Sequence, residues 1–494
     1  MWAAVMTAAL AMLTAVILGG RSPVTYPSDL LSTLPEPDPN APLIVISTSG
    51  AEFPLNAARI FADSSTISPG GSSPVSALLP VFDAAGSTAL VVTERKNGLA
   101  VYGAFTLSDD ERRSLMSADL PPRWAACFDS PEIRATDAGG ALQIRALNII
   151  SPLYIELLGD AAYVADSLYD MEKMRDSAGA TGGRPGNTIS RWSIGQGWGG
   201  HIKLSDGGVL SAMLRPDGFT GPAPRLEAEL AWQSSDGADG YGDAAGRVLW
   251  RLSGVEDLVG KPFLRSVREH DWSGSGFFIP DPLIASFGIN LSSPKDVSAF
   301  PSPIRYLSDQ FQRLGMKGSE IQSLLSGPIA FSLGGNTQIL WFELPGLVLE
   351  LPGRGSVSKK LIERFWSELF LGAELREVPG YEYGGITDMP FTILAAGNDE
   401  ETVIGLTEPD VDRNTDVANL LSSETSAIGW MFLDLPRLGM ALADMPSINA
   451  MLNPDGEDLV DSESTNRLRD AMNNMGRLFM VWERDADGRG MWYY

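Results

Sequence analysis

The chain starts over partway along its length. Phe277-Phe278-Ile279-Pro280-Asp281-Pro282-Leu283-Ile284-Ala285-Ser286-Phe287-Gly288-Ile289-Asn290 repeats, in order and kind, the earlier run Leu34-Pro35-Glu36-Pro37-Asp38-Pro39-Asn40-Ala41-Pro42-Leu43-Ile44-Val45-Ile46. Each is a proline-punctuated acidic turn followed by an apolar strand. The segments after the two restarts also match in outline, and counterpart elements stay separated by roughly 235 to 250 residues, the steady offset that a duplication leaves. A chain of 494 residues exceeds what one hydrophobic core usually serves. Two versions of one architectural unit are therefore expected, with bounds 43–262 and 263–494.

In the first half the pattern predicts a strand Leu43 to Ser47, helices Leu55 to Ala62 and Val75 to Ala85, and paired strands Thr88 to Thr93 and Gly98 to Phe105. The turn Arg95-Lys96-Asn97-Gly98 joins them, and its Asn-Gly is a strong hairpin signal. Ser108-Asp109-Asp110-Glu111 is a capping box, in which a Ser hydroxyl and a Glu carboxylate satisfy orphan amides at a helix start. Strands Ala141 to Leu147, Tyr154 to Leu158 and Ala162 to Val164, then a helix Ser167 to Arg175, precede a Gly-rich loop from Ser177 to Asn187. The strands expected after it are Ile189 to Ile194, His201 to Leu204, Val209 to Leu214, Arg225 to Trp232 and Arg247 to Leu252.

The second half retraces this path. It reads strand Leu283 to Ile289, helix Pro303 to Leu314, a capping box at Ser319-Glu320-Ile321-Gln322, and a meander Pro328 to Leu333, Gln338 to Glu343, Gly346 to Leu351. A helix Ser356 to Phe370 sets Leu361, Ile362, Phe365, Trp366, Leu369 and Phe370 on one face and takes the place of the Ser108 helix. Strands Phe391 to Ala396 and Thr402 to Leu406 are the counterparts of Tyr154 to Leu158 and Ala162 to Val164. A helix near Asp416 to Leu421, a strand Ala427 to Leu433, helical stretches Arg437 to Met451 and Thr465 to Met475, and a hairpin Leu478 to Glu483 with Met491 to Tyr494 close the chain. The fold class expected is α+β: two similar halves, each a mainly antiparallel sheet with helices packed on one face, after an N-terminal hydrophobic helix.

That leading helix is Trp2 to Leu18, an uncharged Ala/Leu/Met/Val-rich run closed by Gly19-Gly20-Arg21. It reads as an export signal or short membrane anchor over 1–21, although no Lys or Arg precedes it and no clean A-x-A site follows. A tether over 22–42 carries Pro23, Pro27, Pro35, Pro37, Pro39 and Pro42, a spacing that favours an extended, semi-rigid segment. Cys127 is the sole cysteine, so no intrachain disulfide exists. The formal charge of −25, from 62 acidic against 37 basic residues, repels polyanions and excludes a nucleic-acid partner.

A leader, a Pro-rich tether and a duplicated α+β body together make the chain resemble the exported, membrane-tethered bacterial proteins grouped in uncharacterised families as domains of unknown function. The resemblance implies residence in the cell envelope, on the periplasmic or extracytoplasmic face of the cytoplasmic membrane. It brings no activity and no site residues.

The motifs with chemical potential each have a plainer reading. Gly195-Gln196-Gly197-Trp198-Gly199-Gly200 fits G-x-G-x-x-G, but a strand comes after it where a pyrophosphate site needs a helix N-terminus. Ser356-Val357-Ser358-Lys359 and Ser292-Ser293-Pro294-Lys295 match S-x-x-K, without the S-D-N and K-T-G partners of penicillin-recognising enzymes, and Ser356 reads as a helix cap. Cys127 with His201 or His270 would make a thiolate pair, yet Trp124-Ala125-Ala126-Cys127-Phe128 reads as a buried apolar segment. Two histidines and one cysteine are too few for a usual zinc site. Asp485-Ala486-Asp487-Gly488-Arg489-Gly490 begins like a calcium loop, then places Arg at the fifth position, so a hairpin turn is expected. The loop Asp236 to Asp243 offers clustered carboxylates to a cation, against the default of a solvated turn. No catalytic, metal or cofactor-binding residue is assigned. The expectation is a non-enzymatic envelope protein that contacts the membrane through its N-terminal hydrophobic segment and binds a protein partner or apolar ligand. The alternatives are a lipid or lipoprotein carrier with an apolar cavity and a serine hydrolase.

Overall fold

Two antiparallel ladders with one strand order carry the chain. The structure is a computed structural model, and the residues it describes are 43–47, 76–78, 81, 88–95, 98–136, 141–149, 151–158, 161–172, 197–204, 226–234, 246–253, 261–273, 280, 282–292, 302–339, 342–372, 374–387, 392–407, 415–422, 424, 426–441, 469, 472–473, 476–483 and 487–493. The hydrophobic leader, the tether, the 55–62 helix, the 177–187 loop, the strands at 189–194 and 209–214, the 236–243 loop, Ser293 to Lys295 and most of 442–475 lie outside them. The chain divides into two compact units, Met1–Gly254 with Pro446–Met475 and Val255–Met445 with Gly476–Tyr494.

The first unit contains β1 (Leu43–Ser47), β2 (Thr88–Arg95), β3 (Gly98–Thr106), β4 (Glu132–Ala135), β5 (Leu142–Arg145), β6 (Leu153–Leu158), β7 (Ala161–Ala165), β8 (Gly197–Leu204), β9 (Leu226–Ser234) and β10 (Gly246–Ser253). Neighbouring strands run β10-β9-β8-β1-β2-β3-β7-β6-β5-β4, each pairing antiparallel. Helix α1 (Asp109–Met116) follows β3. Its start is the expected capping box: the Ser108 amide donates to Glu111 Oε2 at 3.0 Å and the Glu111 amide to Ser108 Oγ at 3.4 Å. Arg95 pairs with Gly98, the two ends of the expected turn Arg95-Lys96-Asn97-Gly98.

The second unit contains β11 (Leu283–Leu291), β12 (Gly327–Ile339), β13 (Phe342–Pro352), β14 (Tyr383–Thr387), β15 (Ile393–Gly397), β16 (Glu401–Gly405), β17 (Gly429–Asp434), β18 (Arg477–Trp482) and β19 (Asp487–Tyr493). Its helices are α2 (Ser302–Arg313), α3 (Gly318–Leu324), α4 (Ser356–Leu369) and α5 (Thr415–Leu421). The strands neighbour one another as β19-β18-β17-β11-β12-β13-β16-β15-β14, again antiparallel throughout. This is the order of the first unit with β11 in the place of β1. Even β4 has a remnant, a single bridge between Arg376 and Ile386 outside β14. Identical ladder order at a steady offset makes the two halves copies of one topology.

Two expectations need correction. The three-strand meander after α3 is a hairpin of two long strands, because the Gly334-Gly335-Asn336 stretch that reads as a turn is a bulge. The register shifts between Gly334 and Thr337, with Gly335 at φ 65° and the Thr337 hydroxyl donating to the Leu406 carbonyl. Helix α3 has no capping box at Ser319: the helix starts at Gly318, and only one half of such a box is present, Glu320 accepting from the Lys317 amide at 2.7 Å, since a lysine side chain has no acceptor to return.

The strand period places alternate residues on opposite faces of the second sheet. On one face Phe311, Leu324 and Leu361 of α2, α3 and α4 pack with Leu291, Ile329 and Leu349. On the other, Val417 and Leu421 of α5 join Trp272, Ala330, Trp430 and Phe479, so helices cover both faces of this sheet and not the single face expected. The first unit has the same division. The Phe105 and Trp124 rings meet at 5.2 Å on the α1 side, and Met171, in the helix 168–172, packs with Ala104 and Tyr163 on the other.

Candidate functional site

The groups with the most chemistry to offer converge where α4 begins. The strand β13 runs through Pro352-Gly353-Arg354-Gly355 into the helix, and Gly355, at φ 51°, is the N-cap. Ser356 is therefore the first helical residue and is exposed, which corrects its expected role as cap: the left-handed cap conformation suits glycine, and the chain supplies one. The serine that is buried is Ser358, whose Oγ accepts from the Arg354 amide at 2.9 Å. Arg354 in turn donates through Nε to the Ser323 carbonyl at 3.0 Å and through its Nη2 to Ser326, satisfying the open carbonyls at the end of α3. Lys360 binds the Glu320 carboxylate at 2.7 Å. The Lys317 amide and Lys360 hold that carboxyl below its ordinary value.

Beside this junction the Tyr383 ring lies across Gly397, where a Cβ would sit 2.6 Å from the ring, and its hydroxyl donates to the Asn398 carbonyl at 2.9 Å. Burial pushes the phenol up, the Ser358 and Thr402 hydroxyls oppose that, and the Asp399 and Glu382 carboxylates reinforce it. A phenol held protonated at neutral pH serves as a donor, not as a base. The whole junction thus joins α3, α4, β14 and the β15–β16 turn.

The other sequence motifs are also built into the frame. Gly197 to Gly200 are strand residues of β8, paired with β1 and β9, so no helix dipole faces them. Cys127 is partly exposed, while Trp124 and Phe128 of the same segment are buried as expected. Burial pushes its thiol up, only partly offset by Arg123, the opposite of what a nucleophilic cysteine needs. His201 stands in β8, and His270 lies in the second unit, bridged to Ala427 with its ring edge-on to Trp272 at 4.7 Å. Burial pushes the His270 imidazole down, against the Asp271 carboxylate. Asp487 opens β19 in the β18–β19 hairpin. Among the described residues no three His, Cys, Asp or Glu side chains converge as a metal set would require, and no helix is long and apolar enough to cross a membrane.

A different feature stands out at the far end of α4. Leu361, Ile362 and Trp366 are buried as the amphipathic stripe predicts, and Trp366 Nε1 donates to the Ala395 carbonyl at 2.9 Å. Leu369 does not follow them: it is 55% exposed, and Phe365 and Phe370 are half-buried. Just beyond, Leu371 is 88% and Leu375 41% exposed. Phe370 packs on Phe365 and Trp366 at 5.6 and 5.8 Å between ring centres, so the apolar corner stands on a fixed aromatic base. The sequence carried a signal for it, since six apolar positions that include three adjacent pairs make a stripe wider than one sheet face covers.

No protein-family model matches the chain, and no curated protein matches it. Two solved structures are similar in part, crystal forms I and III of TP0453, at 12% and 13% identity. Each aligns over 45% of this chain, and over 77% and 78% of the matched chains, with TM-scores of 0.25 and 0.23. At such scores the likeness supports no inference about fold or function.

Proposed function

We propose that this is a non-enzymatic binding protein of the bacterial cell envelope, exported and held near the outer side of the cytoplasmic membrane by its N-terminal hydrophobic segment. The observation that carries the reading is the apolar corner at the end of α4, a cluster of large side chains presented to solvent on a rigid base. It is supported by the structural use of the residues with catalytic potential: Ser358 holds the loop before α4, the Cys127 thiol is disfavoured as thiolate, and the glycines at 197–200 form a strand.

The test is extraction of the full chain from its own cell envelope, followed by native mass spectrometry and by a fluorophosphonate serine probe. The expected outcome is recovery in the membrane fraction, complexed with protein and unlabelled. Stoichiometric labelling of a serine would sink the reading in favour of a hydrolase, and a stoichiometric lipid in place of protein would favour a carrier.

A further inference from the structure

We propose that the outer edge of β14 accepts an extended segment of a partner protein, and that residues 374–378 close it in the unbound chain as a displaceable strap. The proposal rests on the binding-protein reading above and names the surface, the kind of partner and the contact that regulates it.

An unpaired edge strand offers a row of open amides and carbonyls to any other strand, and folded proteins blunt it with charge or cover it. The two units use different means. In the first, the edge strand β4 pairs with β5 through all four of its residues and carries Glu132 and Arg134, exposed and joined at 2.9 Å. β14 has no charged side chain. Its edge is covered, among the described residues, by the remnant of β4, and that cover pairs through a single bridge. The Arg376 amide donates to the Ile386 carbonyl at 2.8 Å, and the Ile386 amide donates back to the Arg376 carbonyl at 3.0 Å.

The strap has one fixed end and one loose end. At the fixed end Val378 is buried with Ile386 and Leu394, the Tyr381 amide donates to the Val378 carbonyl at 3.1 Å, and Asn398 Nδ2 donates to the Gly380 carbonyl at 2.9 Å. Toward α4 the contacts thin out: residues 374–377 are exposed, and Gly372, at φ 82°, has nothing within 4 Å of where a Cβ would stand. Where strap and strand meet, the fit is close. A Cβ at Gly385 would lie 2.6 Å from the Arg376 carbonyl oxygen and 3.1 Å from Leu375 Cβ, and its three nearest atoms all belong to the strap. The edge is shaped for a backbone, with glycine making the room, and the segment that fills it in cis defines what can fill it in trans. That is an extended segment that pairs with Ile386 through a residue other than proline and sets an aliphatic side chain over Gly385. Displacing the strap breaks two hydrogen bonds that the incoming strand restores.

The experiment uses the full chain and a capped fluorescent peptide copying residues 371–379, with binding read by anisotropy. Arg376→Pro removes the strap's amide donor and opens the edge while Val378 stays in place. It should bind the peptide at least about tenfold tighter than the wild type, because a site closed in cis shows a ligand only its open fraction. Adding Gly385→Ala should abolish that binding, and a peptide with proline in place of Arg376 should not bind. In the wild type, hydrogen exchange should be at least about tenfold faster at the Ile386 amide, turned to the strap, than at the Thr387 amide, which strand alternation turns to β15. Equal or absent peptide binding by the wild type and Arg376→Pro, binding that survives Gly385→Ala, or equal exchange at Ile386 and Thr387 would each overturn the proposal. If Arg376→Pro does not fold, the exchange comparison decides alone. A chain recovered from the envelope without protein would sink the broader reading and leave the peptide result unchanged, so the two fail separately.

Discussion

Glu111 concentrates several roles in one carboxylate. It accepts from the Ser108 amide at 3.0 Å and hydroxyl at 2.8 Å, from Trp124 Nε1 at 3.2 Å and from Arg123 at 2.6 Å. Burial pushes its carboxyl up, but the Ser108, Trp124 and Arg123 interactions outweigh this and hold it below the ordinary value. A carboxyl depressed in the folded state contributes stability that is present above its unfolded value and is lost as pH falls through the folded one. Glu111→Gln should therefore destabilise the chain by about 1 kcal/mol at neutral pH, the usual worth of a helix cap, with the deficit shrinking below the unfolded carboxyl range. Urea unfolding of the wild type and the variant at neutral pH and at acid pH measures it. A deficit that stays constant with pH would mean that the charge contributes nothing. The capping box was legible in the sequence because both partners lie within one turn. Arg123 and Trp124, brought in by the short helix Pro122–Ala125, were not, because no local period joins them to Glu111.

At the scale of elements, and among the described residues, most strands that alternation and turn residues marked were found, and those that broke the pattern were missed. β14 reads Tyr-Gly-Gly-Ile-Thr and β4 reads Glu-Ile-Arg-Ala, too glycine-rich and too charged to look like strands. Gly384 is required there by the helix above it. It has φ 86°, and a Cβ would overlap the Ala395 carbonyl and lie 2.7 Å from Ile362 Cγ2. The same closeness lets Trp366 reach the Ala395 carbonyl. Gly384→Ala should cost more than about 2 kcal/mol, from the left-handed backbone and the displaced α4 together. Denaturant unfolding at unchanged m-value is the measurement, and a loss under about 0.5 kcal/mol would show that α4 and β14 pack less tightly than these distances require. The apolar corner was half legible. The stripe on α4 was visible, but the sequence could not show that Leu369 is left exposed, which depends on strands contributed from elsewhere in the chain.

Across the whole molecule, the repeated strand order predicts where each unit is most stable. β1 is flanked by β2 and β8, and β11 by β12 and β17, with long ladders on either side of both. At the outer end of the same ladders, among the described residues, β4 pairs only with β5, and β14 has one full neighbour and a single bridge to Arg376. Amides that open only when the core opens exchange slowest, and those at ladder ends open by local fraying. Native-state hydrogen exchange should then give two slow sets centred on corresponding strands, β1 with β2 and β11 with β12, and faster exchange at β4 and β14. Because the units have their own apolar clusters, the two slow sets need not share one opening free energy, but within each unit the order from centre to edge should be the same. Protection highest at β14 or β4 would contradict this, and would mean that a partner strand or the Arg376 segment closes the edge in solution.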